Sequence, residues 1–211
     1  MRGLYAIIDS DFLERRGVPL VPFAERVLAG RPAIVQLRAK HASARKTLEW
    51  LRELRPLCTS AGARLFANDR PDLAILSHCD GVHVGQGDLP PHAVRQFSRD
   101  LSIGVSTHDE AELEEALAEH PAYVAYGPVF ATTSKERPDP VVGLARLEAA
   151  AGIARAAGVP LVAIGGIDVN RARDVARFAA LGAVISALLP ESGQGGVTER
   201  ARELGLRLGG P

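Results

Sequence analysis

Two cysteines, one tryptophan, one methionine and a 5% aromatic share leave several architectures out of reach of this 211-residue chain. Cys58 and Cys79 cannot supply a disulfide framework or a thiolate zinc site by themselves, and they read as buried free thiols. Charge of one sign is also missing. The 25 Lys+Arg balance 25 Asp+Glu, so nothing draws the whole chain toward nucleic acid or an anionic membrane. No apolar run reaches the roughly 20 residues needed to cross a bilayer. The stretch from Met1 to Ile8 is too short for a secretory signal and lacks a small-residue cleavage site. A cytoplasmic protein is the expectation. What is present is ordinary globular composition, 46% hydrophobic and 24% charged, and enough length for a sizeable core.

Two rhythms alternate along the chain. Short β-rich runs fall at Leu4–Ile8, Ile34–Leu37, Arg64–Ala67, Gly81–Val84, Ser102–Val105, Tyr123–Tyr126, Pro160–Ile164 and Ala183–Ser186. Helical spacing separates them, at Pro22–Ala29, Ala44–Ser60, Pro71–Leu76, Pro91–Phe97, Asp109–Ala118, Ala145–Ala156, Asn170–Ala179 and Thr198–Leu206. Ser43, Asp109 and Asn170 stand where helices should start, and Gly62 and Gly158 just past helix ends. Eight strands and eight helices in strict alternation imply parallel pairing with right-handed crossovers. In about 200 residues this closes most economically as one α/β domain over residues 1–211, a (β/α)8 TIM barrel. The rival is an open doubly wound sheet. No Gly-x-Gly-x-x-Gly follows the first strand, which weakens its dinucleotide-binding form.

Barrel enzymes work at the carboxyl ends of their strands. At the second strand, alternation puts Gln36, Arg38 and Lys40 on one face and Val35 and Leu37 on the other. Two cations turned toward the axis need an anion, or else the carboxylates of neighbouring strands. The third strand ends Asn68-Asp69-Arg70, and Asp88 follows the fourth on a glycine-bearing loop. Adjacent strands lie about 4.8 Å apart. Carboxylates converging there repel unless a proton or cation separates them, and hard oxygen ligands suit Mg²⁺ shared with phosphate. Asp69 could instead cap the Pro71 helix and pair with Arg70. Together, Asp69, Asp88, Arg38 and Lys40 suggest a magnesium–diphosphate site.

At the fifth strand Ser106 shares the parity of Gly104 and faces the pocket, whereas Thr107 reads as a cap for the Asp109 helix. His83 reads as a satisfied core histidine, while His108 is ambiguous, a solvent-side histidine being commoner than a catalytic one. Beyond the sixth strand a long connection carries Thr132, Ser134 and Lys135. Its length suits a lid over Thr132–Gly143, and hydroxyls beside a lysine suit phosphate oxygens. Gly165-Gly166 ends the seventh strand, where backbone N–H groups could approach a ligand, and Ser186 places a hydroxyl beside them.

These runs together resemble the thiamine-phosphate synthase family. The matches are Gln36-x-Arg38-x-Lys40, Asn68-Asp69, Asp80 to Asp88, Gly104 to His108, Gly127 to Lys135, Gly143 and Ala163 to Ile167, besides Leu4-Tyr5 to Asp9. The resemblance implies a barrel that joins 4-amino-2-methyl-5-hydroxymethylpyrimidine diphosphate to a thiazole phosphate, giving thiamine monophosphate and pyrophosphate. Gln36, Arg38, Lys40, Asn68 and Lys135 would hold the pyrimidine diphosphate, with Asp69 and Asp88 ligating Mg²⁺. Ser106 would sit by the pyrimidine. Thr132 and Ser134 would contact the thiazole side, and Gly165, Gly166, Ile185 and Ser186 would surround its phosphate. Arg38, Lys40, Ser106 and Lys135 would carry the catalysis. Partners are then small molecules, not nucleic acid or membrane, with a homodimer left open.

Two stretches depart from the family's pattern. Ala131 stands where it usually has Pro, and Ala179–Ala183 replaces a Gly-Ala-Asp-Gly run. Two other readings compete. One is a thiazole tautomerase-like barrel in which His108 shuttles a proton. The other is a phosphate-ligand sensor without turnover.

Overall fold

The computed structural model describes residues 2–132, 139–191 and 193–210. Eight strands close in sequence order into an all-parallel barrel: β1 (Gly3–Asp9), β2 (Ile34–Arg38), β3 (Arg64–Asn68), β4 (Gly81–Val84), β5 (Ser102–Thr107), β6 (Tyr123–Tyr126), β7 (Leu161–Ile164) and β8 (Leu181–Val184). The helices are α1 (Ser10–Glu14), α2 (Leu20–Leu28), α3 (Ala44–Ala61), α4 (Pro71–Leu76), α5 (Pro91–Phe97), α6 (Glu110–Ala118), α7 (Gly143–Ala156), α8 (Ala172–Val175) and α9 (Val197–Arg207). The expected (β/α)8 barrel is therefore the fold, and the open sheet is excluded. Among the described residues no helix is long and apolar enough to cross a membrane.

Strand parity sorts the chain into two cores. Val35, Leu37, Leu65, Ala67, Val82 and Val84 face outward and pack with Leu51, Leu54 and Leu73 of the helices. Tyr5, Ile34, Phe66, Tyr123, Val162 and Leu181 face inward and fill the barrel. Three aromatics form the floor, with Tyr5 5.7 Å from Tyr123 and Phe66 5.6 Å from Tyr123, centre to centre. Gly81 and Gly104 make the room. A Cβ on Gly81 would collide with the Phe66 ring, and one on Gly104 with the Tyr123 ring. Truncating a ring as buried as Phe66 to alanine costs about 3–5 kcal/mol.

Ser43 and Asp109 cap their helices as expected, each accepting from a backbone N–H three residues on. Gly62 ends α3 in the left-handed region. Three expectations near strand ends need correcting. The eighth strand runs two residues earlier than its apolar run suggests, because Ile185 leaves extended geometry (φ −113°, ψ −83°) and Ser186 opens a 3₁₀ turn. Asn170 is not a cap. Arg171 precedes the four-residue α8, which has no side-chain cap, and Asp168 accepts from Arg171 N at 3.0 Å in the turn before it. Thr107 caps nothing either, since its hydroxyl donates to Ala125 O at 3.0 Å across the sheet. Both cysteines sit in apolar surroundings, where burial pushes Cys58 up to about 12 and Cys79 to about 11, so both stay thiols.

Candidate active site

Above the aromatic floor the barrel opens at the carboxyl ends of its strands into a cavity of about 680 Å³. Gln36, Arg38, Lys40, Asn68, Asp69, Asp88, Ser106, Thr132, Gly165, Gly166, Ile185 and Ser186 all line it. Twelve candidates spread over more than 140 residues of sequence thus meet at one rim. Ser134 and Lys135, the other two, lie outside the described residues, as does half of the expected lid.

The charged wall is built by β1 to β4. Asp9 ends β1 in register with Arg38 of β2 and is 3% exposed. Its Oδ1 accepts from Phe12 N at 2.8 Å, which starts α1, and its Oδ2 accepts from Arg38 Nη1 at 2.5 Å. One carboxylate therefore begins a helix and aims a guanidinium. Lys40 pairs with Asp69. Both cations have found carboxylates on neighbouring strands, the alternative the sequence had left open. Among the described residues each keeps unused N–H donors, four on the guanidinium and two on the ammonium. Asp69 does not cap α4, and Arg70 pairs with Asp72 at 2.6 Å. A left-handed backbone (φ 60°), braced by Asp69 N donating to His83 O at 2.8 Å, places Asp69 at the cavity instead. Such a conformation is uncommon but most tolerable for Asp and Asn.

Asp88 returns to the rim on a tight turn, its Oδ2 accepting from Gly85 N at 2.7 Å. Burial raises its pKa above the ordinary aspartate value, and the neighbouring Asp69 raises it further against the opposing pull of Gly85 and Lys40. Two carboxylates that disfavour each other's charge form a donor pair suited to a hard divalent cation. Among the described residues no third His, Cys, Asp or Glu joins them, so any such cation would take its remaining oxygens from substrate or water. Deeper in, Gln36 is 2% exposed and its Nε2 has no hydrogen-bond partner among the described residues. A buried donor left open toward a cavity is costly until an acceptor arrives.

The other wall, where β7 and β8 end, is lined mainly by glycines and small or apolar side chains, with Asp168 and Arg171 as its charged groups. Gly165 (φ 100°) and Gly166 (φ 62°) are needed first for packing. A Cβ on Gly165 would strike Pro128, and one on Gly166 would strike Ala131 O. The pair thus seats the connection after β6, with Phe130 N donating to Gly165 O at 3.1 Å. Arg171 stands over this wall, 4.8 Å from the Phe130 ring centre, and donates through Nη1 to Gly166 O at 2.8 Å.

Three groups at the site escaped the sequence reading. Asp9 was findable, because it has the inward parity of Tyr5 and Ile7 one strand from Arg38. Arg171 carried no signal, lying in a short turn without periodicity. The third is His83, which is a bonded core histidine as expected and also lines the cavity, its Nε2 2.8 Å from Ser106 Oγ. His108 lines the cavity too, but both ring nitrogens are engaged, Nδ1 by Glu112 at 2.9 Å and Nε2 by Asp139 at 3.1 Å. That arrangement ties the loop after β6 to β5, and it gives no support to a free proton shuttle.

Comparison with known proteins agrees with this geometry. A family model described as thiamine monophosphate synthase matches residues 4–188. A thiamine-phosphate synthase of Chloroflexus aurantiacus is 39% identical over 202 residues, 95% of this chain and 90% of that protein. One of Koribacter versatilis is 43% identical over 175 residues, 82% of this chain and 81% of that protein. Among solved structures, a thiamine phosphate pyrophosphorylase from Pyrococcus furiosus superposes with TM-score 0.84 at 31% identity, covering 98% of this chain and 95% of that one.

Proposed function

Because the chain belongs to the thiamine monophosphate synthase family, we propose that it joins an aminopyrimidine methyl diphosphate to a thiazole phosphate, releasing thiamine monophosphate and pyrophosphate. One observation carries the reading. A charged wall (Arg38, Lys40, Asp69, Asp88) and a glycine-lined wall that also carries Asp168 and Arg171 face a single cavity of about 680 Å³. That volume is in the range of small-molecule sites, roughly 300–1,000 Å³.

The chemistry follows from the charges. The carbon–oxygen bond to the diphosphate breaks first, and its electron pair leaves with the oxygen. The benzyl-like pyrimidine cation is then captured by the thiazole nitrogen, which already has its lone pair, so no strong base is required. Arg38 and Lys40 turn their spare N–H donors to the departing phosphate oxygens and stabilise charge that grows during ionisation. Lys135 is assigned the same part and Asn68 the holding of the diphosphate, while Gln36 offers its open donor to an acceptor on the pyrimidine substrate. Asp69 and Asp88 would hold Mg²⁺, which when bound would neutralise part of the diphosphate charge. Thr132 and Ser134 are assigned to the thiazole side. Its phosphate rests against Gly165, Gly166, Ile185 and Ser186, with Arg171 as the nearby cation. Water kept out of the cavity cannot trap the cation.

The test is direct. Purified protein is mixed with both substrates and Mg²⁺, and the products are read by mass spectrometry. Thiamine monophosphate and pyrophosphate should appear together over many turnovers, and with neither substrate alone. Tight binding of product without repeated turnover would overturn the enzyme reading in favour of a sensor.

A further inference from the structure

A chain of polar groups runs through the apolar barrel floor up to the cavity. Tyr5 and Tyr123 hydroxyls are 2.7 Å apart. Tyr123 OH is 2.9 Å from His83 Nδ1, and His83 Nε2 is 2.8 Å from Ser106 Oγ. The His83 and Tyr123 ring planes are nearly parallel, 11° apart, with centroids 5.7 Å from each other. Tyr5 and Tyr123 are 2% and 1% exposed. Burial pushes both phenols well up from their ordinary value, so each keeps its hydrogen.

A chain of this kind has a direction. A neutral imidazole donates from one nitrogen and accepts at the other. In one polarity Ser106 donates to His83, His83 to Tyr123 and Tyr123 to Tyr5. The Tyr5 hydrogen then has nowhere to go, since among the described residues Tyr123 is the hydroxyl's hydrogen-bond partner. In the reverse polarity Tyr5 donates to Tyr123, Tyr123 to Nδ1, and Nε2–H to Ser106. Every buried hydrogen is then placed. The hydrogen left over belongs to Ser106, at the cavity. A buried unmet donor is the costlier choice, so the second polarity is the stable one.

We propose that Tyr123 and His83 fix Ser106 as a hydrogen-bond donor to substrate, so that it selects a ring carrying an acceptor nitrogen at that point. Ser106 is the group in contact, and His83 and Tyr123 are positioning residues that act through it. The choice of a pyrimidine ring nitrogen as the acceptor rests on the function proposed above. The polarity itself does not.

Two measurements separate these levels. The first is nitrogen NMR of the histidine-labelled, ligand-free protein. His83 should carry its hydrogen on Nε2 and show an unprotonated Nδ1. A hydrogen on Nδ1 alone would overturn the proposal whatever the substrate is. The second compares KM for the pyrimidine diphosphate with KM for its two pyridine analogues, each with one ring nitrogen replaced by CH. The wild type should prefer the parent over one analogue by about tenfold, the 1.4 kcal/mol of a single neutral hydrogen bond. Ser106→Ala should bring that ratio near one. Tyr123→Phe should do the same, because Nδ1 then loses the Tyr123 hydroxyl that fixes its tautomer. Tyr5→Phe should keep the ratio, because Tyr123 still has Nδ1 as its acceptor. A Tyr123→Phe protein that melts like wild type and keeps the full ratio would refute the positioning role. If wild type turns over neither parent nor analogue, the substrate assignment fails, and the NMR result still decides the polarity.

Discussion

At the β1–β4 rim the side chains are charged and already paired, Arg38 with Asp9 and Lys40 with Asp69. At the β7–β8 rim the lining includes Gly165, Gly166, Ile185 and Ser186, with Asp168 beside them and Arg171 held to one side by Gly166 O and the Phe130 ring. The first wall carries charge before any ligand arrives, and desolvating that charge is offset by ion pairs that also aim it. The second relies on backbone shape. The contrast teaches that substitutions should act differently on the two sides, through electrostatics on one and through loop geometry on the other.

The comparison breaks most sharply at Arg38. Arg38→Ala leaves the buried Asp9 carboxylate unpaired and removes a cation from the diphosphate, for an expected loss of roughly 2–5 kcal/mol in binding. Calorimetry with the pyrimidine diphosphate reads it, and unaltered affinity would place the leaving group elsewhere. Asp88→Asn should come next, lowering turnover about tenfold or more at fixed Mg²⁺ and raising the Mg²⁺ needed, since direct ligands matter at least as much as the groups behind them.

Acidity sharpens the same prediction. Burial and Asp69 raise the Asp88 pKa, so its carboxylate is lost at a higher pH than that of an ordinary aspartate. Mg²⁺ affinity should therefore fall on acidification through a point above the usual aspartate range. The sign for stability is opposite. A raised value in the fold means the ionised form is the disfavoured one, so the contribution to stability present at low pH is lost as pH rises. Asp88→Asn should accordingly raise the melting temperature of the metal-free protein at neutral pH.

On the glycine-lined wall, Gly166→Ala meets a left-handed backbone and the Ala131 carbonyl. It should cost about 1–2 kcal/mol in stability and raise KM for the thiazole phosphate more than for the pyrimidine. Steady-state kinetics with each substrate varied in turn separates the two. The smallest effect is expected at His108, whose ring is tied to Glu112 and Asp139. His108→Ala should leave turnover largely intact, and near-total loss would revive a proton-shuttle role.

The barrel was legible because apolar period two and period 3.6 alternate cleanly from β1 to β7. It blurred at the end, where Ala176–Gly182 offers almost no contrast between faces and so fixes neither the end of α8 nor the start of β8. The charged candidates were legible for a related reason. A polar residue such as Gln36 or Arg38 within an apolar strand must meet either the axis or solvent, and alternation says which residues share the choice. What alternation cannot carry is pairing. Asp69 was equally compatible with a cap, and only the left-handed turn and Lys40 decide against it. His83 looked like a core residue because it is one. That it also reaches Ser106 depends on Gly104 and Tyr123 across the sheet, which no local window contains.

The aromatic plug made by Tyr5, Phe66 and Tyr123, fitted over Gly81 and Gly104, gives the reaction vessel a sealed bottom. With one doorway and no back exit, traffic has to queue. Whichever molecule occupies the lower berth must board before the other, and it can depart only after the upper one has gone.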